Sequence, residues 1–422
     1  MKATSLEQAL NNFTVAELIF TTDAPPTRSR EFYIDRDKNP YNRLKTFLRT
    51  SNTFDKILFT GHMGCGKSTE LNRLAADPDI TQRFFVVKYS IFDVLDILDI
   101  NYIDVLVSMG AQVFMEAVRS NLKIPPELLE SLEKWKKNIV ERMNMDEKIS
   151  GMELSGFFLN LTAKIKMEHT TREIIRDIVG KKVSEFISLI NQLIDKIRLS
   201  LPPDKNLLII IDDLEKIPDI NKAKTLYYDS GIVLTKPNCK IIYTVPIALH
   251  YSVEFRQIAG NFGTTYFFPN IRLHHRDGSE DENGFDTMKK FVTNRMEQCL
   301  IEDEALKETI AFSGGIVREL CRIMRNSCID ALSEGKNIIT KDIVRASVAE
   351  IRNEFGRMLT DQHCQALIEI AKTKMVGSDK VSVELLHSLS ALEYQNDERW
   401  CDINPIVSKI LEQYKKVVTI QV

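Results

Sequence analysis

Nine consecutive residues carry the clearest chemistry in the chain. They run Gly61-His62-Met63-Gly64-Cys65-Gly66-Lys67-Ser68-Thr69 and fit the spacing G-x-x-x-x-G-K-[ST]. Glycines at 61, 64 and 66 let backbone N–H groups curl around a polyphosphate without Cβ clashes. A helix starting at Lys67 aims its positive end at the same anion. Lys67 is then placed to reach the β- and γ-phosphates of a nucleotide, and the Ser68 hydroxyl to ligate Mg²⁺. Met63, Cys65 and Thr69 complete the cradle, with Cys65 read as a space-filling residue rather than a reactive thiol.

A second group lies roughly 140 residues downstream, far beyond an ordinary connection between strands. Leu207-Leu208-Ile209-Ile210-Ile211 is an apolar run ending in Asp212-Asp213. The tip of a strand in an open parallel sheet is where ligands bind. Asp212 there can hold Mg²⁺ through its water shell, and Asp213 can orient or polarise an attacking water. Glu215 is a poorer candidate for that base, because charge complementarity at a helix N-terminus explains it as well. The two groups together predict ATP and Mg²⁺ as ligands and nucleoside triphosphate hydrolysis as the reaction.

The elements around these groups must place them at one sheet edge. Residues 56–60 and 207–211 read as short buried strands, joined by further strands at 84–89, 239–245 and 264–268. Alternation of such strands with helical stretches predicts a parallel sheet covered on both faces. Residues 112–203 form a long helical insert, in which 171–199 reads as one amphipathic helix and 159–167 shows strand period, a helix staying open. Residues 1–30 read as a polar lead-in ending at Pro25-Pro26. The organisation expected is thus an α/β nucleotide domain over 31–284, a helical lid over 285–352 and a separate unit over 353–422.

Composition narrows the class. The chain has 422 residues, 44% hydrophobic and 27% charged, with a formal net charge of −3. Those values are of a soluble globular protein and exclude a strongly cationic body that would coat nucleic acid. Seven cysteines without a C-x-x-C pair form neither a disulfide framework nor a zinc site. Reduced thiols, no leader-like apolar run at the start and no apolar stretch of membrane-spanning length predict a cytoplasmic protein away from membranes.

With these residues in place, the chain resembles the additional-strand class of P-loop NTPases, in which one strand lies between the two motif strands. It is more closely similar to the AAA+/STAND group, and closest to a mostly uncharacterised bacterial set of P-loop ATPases, at residues 61–74, 207–216, 241–249, 313–320 and 392–407. The resemblance implies a parallel-sheet P-loop NTPase core, a helical lid and a C-terminal winged-helix-like domain. It places Thr244 as a first sensor of the γ-phosphate, although threonine is also an ordinary strand residue. It places Arg318 in the lid as a second sensor and Arg256 as an arginine finger across a subunit contact, where an exposed helix arginine is the plainer reading. Tyr33-Ile34-Asp35-Arg36-Asp37 is similar to the upstream signature that abuts adenine, with Asp35 and Asp37 replacing its glycine and glutamate. Asp213 stands where motors of the group carry glutamate, which implies slow turnover and a switch rather than a motor.

The unit after residue 355 reads as helices near 361–373 and 382–392 followed by a hairpin over 392–400 with a polar tip. Residues 355–422 hold eight Lys/Arg and nine Asp/Glu, so the unit lacks the charge excess of a DNA reader. An intramolecular or protein contact is favoured. The functional expectation is an ATP/ADP switch controlling self-association or a separate effector protein, with bacterial conflict or phage defence suggested by analogy. The alternative is a DNA-handling AAA+ ATPase akin to origin-recognition or transposition ATPases.

Overall fold

Uninterrupted apolar runs build the centre of the molecule. The computed structural model describes the chain except residues 38, 144–150, 152, 396–397 and 421–422, and gives backbone alone for 417–420. Five parallel strands, β1 (Lys56–Gly61), β2 (Phe84–Ser90), β3 (Asn206–Asp212), β4 (Lys240–Pro246) and β5 (Gly263–Phe267), lie in the order β2-β3-β4-β1-β5. β4 therefore separates the two strands that carry the nucleotide motifs, the arrangement the resemblance implies. β1 and β4 are buried throughout, as strands covered on both faces must be, whereas β2 and β5 at the edges are only partly buried.

Alternate residues of the strands divide the core. Leu58, Ile209, Ile211, Ile241 and Tyr243 face the helical insert. Ile57, Phe59, Leu208, Ile210 and Ile242 face Leu44 and Leu48 of helix Tyr41–Thr50 and Leu71 and Leu74 of helix Lys67–Ala76. The insert consists of helices Tyr102–Arg119, Pro126–Arg142, Leu154–Met167, His169–Gly180 and Val183–Ser200. It shares one continuous core with the sheet, because Val105, Leu106 and Met109 are buried with the strand residues.

Two local expectations change. The strand-like alternation over 159–167 belongs to helix Leu154–Met167. Phe157, Leu161 and Ile165 recur at four-residue spacing and are buried, while Leu159 and Met167 are 65% and 81% exposed. The apolar exposed residues created the false period of two. The single helix expected over 171–199 is two, ending at Gly180 and restarting at Val183. Gly180 carries the weakest helix propensity short of proline, and Lys182 leaves the helical region at φ −140°, ψ 37°.

The lid contains helices Glu282–Thr293, Asp303–Phe312, Val317–Ser333 and Lys341–Met358. Against it packs a helix within the first thirty residues, Leu6–Asn12, capped by Ser5 and burying Leu6 and Ala9 on helix Val317–Ser333. The start of the chain is thus part of the lid's core rather than a polar lead-in. After the lid come helices Asp361–Thr373 and Lys380–His387, the antiparallel hairpin of β6 (Ala391–Gln395) and β7 (Arg399–Ile403), and helix Ser408–Ile420. The helix expected to reach 392 ends at His387, and Leu392, where the hairpin is expected to begin, lies in β6; the expected polar tip at Asn396 and Asp397 lies outside the described residues. All seven cysteines are free, and six are buried. Among the described residues no helix is long and apolar enough to cross a membrane.

Candidate functional site

The loop after β1 turns back on itself through glycines. Gly66, with φ +109°, is the N-cap of helix Lys67–Ala76, a left-handed position that a side chain would strain. Gly64, with φ +83°, is fixed by space as well: an added Cβ would lie 2.5 Å from Arg318 Cβ. Arg318 belongs to the first turn of lid helix Val317–Ser333, and its backbone N–H donates to Gly64 O at 3.1 Å. The lid is therefore docked on the phosphate loop through main chain.

Lys67 is 3% exposed. Its Nζ donates to Gly61 O at 3.0 Å and His62 O at 2.9 Å, and lies 3.2 Å from Glu215 Oε1. Burial opposes its charge, but Glu215, with Cys65 and Asp212 adding to it, offsets this and holds the ammonium above its usual range. Glu215 lies on the single turn Leu214–Lys216 that follows β3.

The strand tip gathers acids. Asp212 ends β3, and burial pushes its carboxyl up to about 6 against the pull of Lys88, whose Nζ is 3.3 Å away. Asp213 follows at φ +70°. Its Oδ2 accepts from Ser90 Oγ at 2.5 Å and its Oδ1 lies 2.5 Å from Lys216 Nζ. Burial disfavours the Asp213 charge, yet Lys216 and Ser90 hold its carboxyl below the ordinary value. Ligand oxygens of Asp212, Asp213 and Glu215 all lie within 4.8 Å of one another. Such a set of hard oxygen donors beside Ser68 suits Mg²⁺.

A cleft of about 130 Å³ runs along the loop, lined by Gly64, Gly66, Lys67, Ser68, Thr69, Glu215 and Arg318 and closed on one side by residues 14–17; of the three acids only Glu215 lines it. That volume is below the roughly 300 Å³ at which pockets for whole small molecules begin. It has room for phosphates; a complete nucleotide requires the lid or the first residues to shift. The larger cavity, about 600 Å³, lies at the opposite end of the sheet, where β2, β3 and β4 begin. There Arg49, Arg198 and Lys240 are matched by Asp79, Asp195 and Asp55, while Arg83 donates to the Arg49 carbonyl.

The other residues singled out from the sequence divide. Met63 and Cys65 are in the loop, and Cys65 is fully buried. Thr244 is buried behind the site: its Oγ1 accepts from Leu214 N at 2.9 Å and so braces the acidic turn. Tyr33 flanks helix Lys67–Ala76, donating to Glu70 at 2.8 Å. The Arg36 guanidinium stacks on Phe268 at 3.7 Å, with both terminal nitrogens buried and without partners among the described residues. Arg256 is exposed on helix Phe255–Phe262 and lines no part of this chain's cleft.

Two contributors were not read from the sequence. The first is the start of the chain, where Leu18 N donates to Thr69 Oγ1 at 3.1 Å and Asn72 donates to Leu18 O at 2.8 Å. The second is His62, buried in the loop, whose Nε2 accepts from Glu393 N of β6 at 2.7 Å. Burial, and then nearby Lys67, push the imidazole down to about 3, so it is the neutral acceptor this bond requires. Around it, Tyr251 donates to Glu393 Oε2 at 2.6 Å, Asn270 to Glu393 O at 3.2 Å, and Tyr394 to Gly314 O at 2.8 Å.

No protein-family profile matches the chain, and no curated protein matches it. Among solved structures it is similar to Cdc6p from Pyrobaculum aerophilum, at 14% identity and a TM-score of 0.40 over 91% of this chain and 98% of that one. It is also similar to the ORC1 protein of Aeropyrum pernix in complex with DNA, at 12% identity and 0.40 over 90% and 93%. A third is the Thermotoga maritima RuvB Holliday junction branch migration motor, at 13% and 0.36 over 91% and 99%.

Proposed function

We propose that the chain binds ATP with Mg²⁺ at the phosphate loop, hydrolyses it slowly, and uses its nucleotide state to hold or free the C-terminal hairpin. The observation that carries this reading is the His62–Glu393 bond, which ties the hairpin to the loop that must rearrange around phosphate. Mg²⁺ supplies charge neutralisation of the phosphates when bound, with Ser68 and Asp212 as its protein ligands. Lys67 grips the β- and γ-phosphates, and Asp213 orients water once released from Ser90. Arg318 answers the γ-phosphate from the lid, while Thr244 keeps the acidic turn in register. Tyr33 and Arg36 bound the nucleotide from the upstream side. The lid, over 285–352, and the winged-helix-like unit, over 353–422, are the bodies that move.

The output is self-association, with Arg256 completing a neighbour's site, or engagement of a separate effector in the cytoplasm, as in conflict systems of the AAA+/STAND type. The test is native mass measurement of the full chain with ADP, with a non-hydrolysable ATP analogue, and with each in the presence of duplex DNA. A mass increase with the analogue alone supports the switch. An increase only when DNA is present moves the assignment to a DNA-handling ATPase, and no bound nucleotide in any arm overturns both.

A further inference from the structure

The ammonium of the phosphate loop is already engaged on all sides. Lys67 Nζ has Gly61 O, His62 O and Glu215 Oε1 within 3.2 Å. An ammonium has three protons to give, so a phosphate oxygen drawn to Lys67 must displace one acceptor. The two carbonyls are fixed in the backbone at the end of β1. Glu215 is the acceptor able to leave: it stands on a three-residue turn, and its Oε2 is buried with no hydrogen-bond partner among the described residues. The side chain is 3% exposed and lines the same cleft as Ser68 and Thr69. With Asp212 and Asp213 it makes a third carboxylate within 4.8 Å.

Resting on the nucleotide reading above, we infer that Glu215 is a positioning and specificity residue that competes with phosphate for Lys67 and selects for nucleotide carrying a divalent cation. A bare triphosphate brings about four negative charges against three carboxylates, and like charges at contact distance repel strongly. Mg²⁺ cancels part of that charge and gives the acids a cation to face. Glu215 thereby taxes metal-free nucleotide far more than the magnesium complex.

The test is a binding titration of the full chain with a fluorescent non-hydrolysable ATP analogue, in Mg²⁺ and in EDTA. Wild type is expected to bind much more tightly in Mg²⁺. Glu215→Gln is expected to bind about tenfold more tightly than wild type in EDTA and to gain nothing in Mg²⁺, so that the ratio of the two affinities falls by about that factor or more. Glu215→Asp, which keeps the charge, is expected to stay near the wild-type ratio. Glu215→Ala carries the same expectation as the amide and serves if the amide does not fold, as judged by thermal melting. An unchanged ratio, or equal weakening in both buffers, overturns the inference and leaves Glu215 an anchor of the turn. Wild type that binds no analogue in either buffer instead defeats the nucleotide reading itself.

Discussion

Lys67 shows how one buried charge serves binding and stability together. Its ammonium is the counter-charge for Glu215, and both groups are 3% exposed. Removing one member of a buried pair strands the other, at a cost of about 3–5 kcal/mol. Lys67→Ala is therefore expected to abolish nucleotide binding and to lower unfolding stability by about that amount. Adding Glu215→Gln to it restores much of the stability and none of the binding; chemical denaturation and calorimetric titration separate the two effects. Asp213 is a different case, because its carboxylate is held by Ser90 and Lys216 rather than by Lys67. Asp213→Asn is expected to leave ATP affinity within about threefold and to slow phosphate release by about 10²-fold, the scale of a lost acid–base or water-orienting group. Unchanged turnover removes Asp213 from that role. At this scale the sequence was informative about identity and silent about pairing. The glycine–lysine–serine spacing is local and could be read directly. The Lys67–Glu215 and His62–Glu393 contacts are tertiary, the latter across 331 residues, and no local pattern encodes them.

Elements were legible where one physical term dominated. Leu207–Ile211 reads as a buried strand, because five apolar residues in succession leave no polar face and the run between Pro202-Pro203 and Asp212-Asp213 is too short for a helix. The sequence leaves helix Leu154–Met167 undecided between strand and helix where burial and apolarity part company, since exposed Leu159 mimics a strand's alternation. Its true anchor is Phe157, fully buried against Trp135 and Phe158. Phe157→Ala is expected to cost about 3–5 kcal/mol in denaturant unfolding, whereas Leu159→Ala is expected to cost about 0.5 kcal/mol or less. The helix Leu6–Asn12 escaped notice because seven residues carry too short a stripe to stand out.

The hairpin adds a pH dependence. Burial raises the Glu393 carboxyl to about 7, against hydrogen bonding from Tyr251 and attraction from Arg399. Cys401 and His62 also face this region: Tyr251 bonds Cys401, and His62 accepts from Glu393 N. Because the folded value lies above the ordinary 4.5, the native state binds the extra proton between those limits, and stability falls as pH rises from about 4.5 to about 7. Glu393→Gln keeps an acceptor for Tyr251 without the charge. It is expected to match wild type in thermal melting at pH 4.5 and to exceed it at pH 8.

Across the whole molecule, three segments far apart in sequence converge on the phosphate loop: residues 14–18, the lid at Arg318 and the hairpin at Glu393. Each is fastened largely by backbone groups, so a change in loop conformation is felt by all three at once. On the proposed function, ligand binding at this one loop would shift several bodies through differential contacts. Arg256 tests whether that coupling extends between copies of the chain. It is exposed on helix Phe255–Phe262 and contributes nothing to its own cleft, so a role in nucleotide chemistry has to be exercised on a neighbour. Arg256→Glu is accordingly expected to bind the ATP analogue as tightly as wild type, within about twofold, since surface substitutions away from a site perturb little. The same variant is expected to lose any analogue-dependent increase in mass, because the reversed charge would face the partner's phosphates. If it assembles normally, the arginine is an ordinary solvent-facing residue and the contact between copies, if one forms, uses another surface.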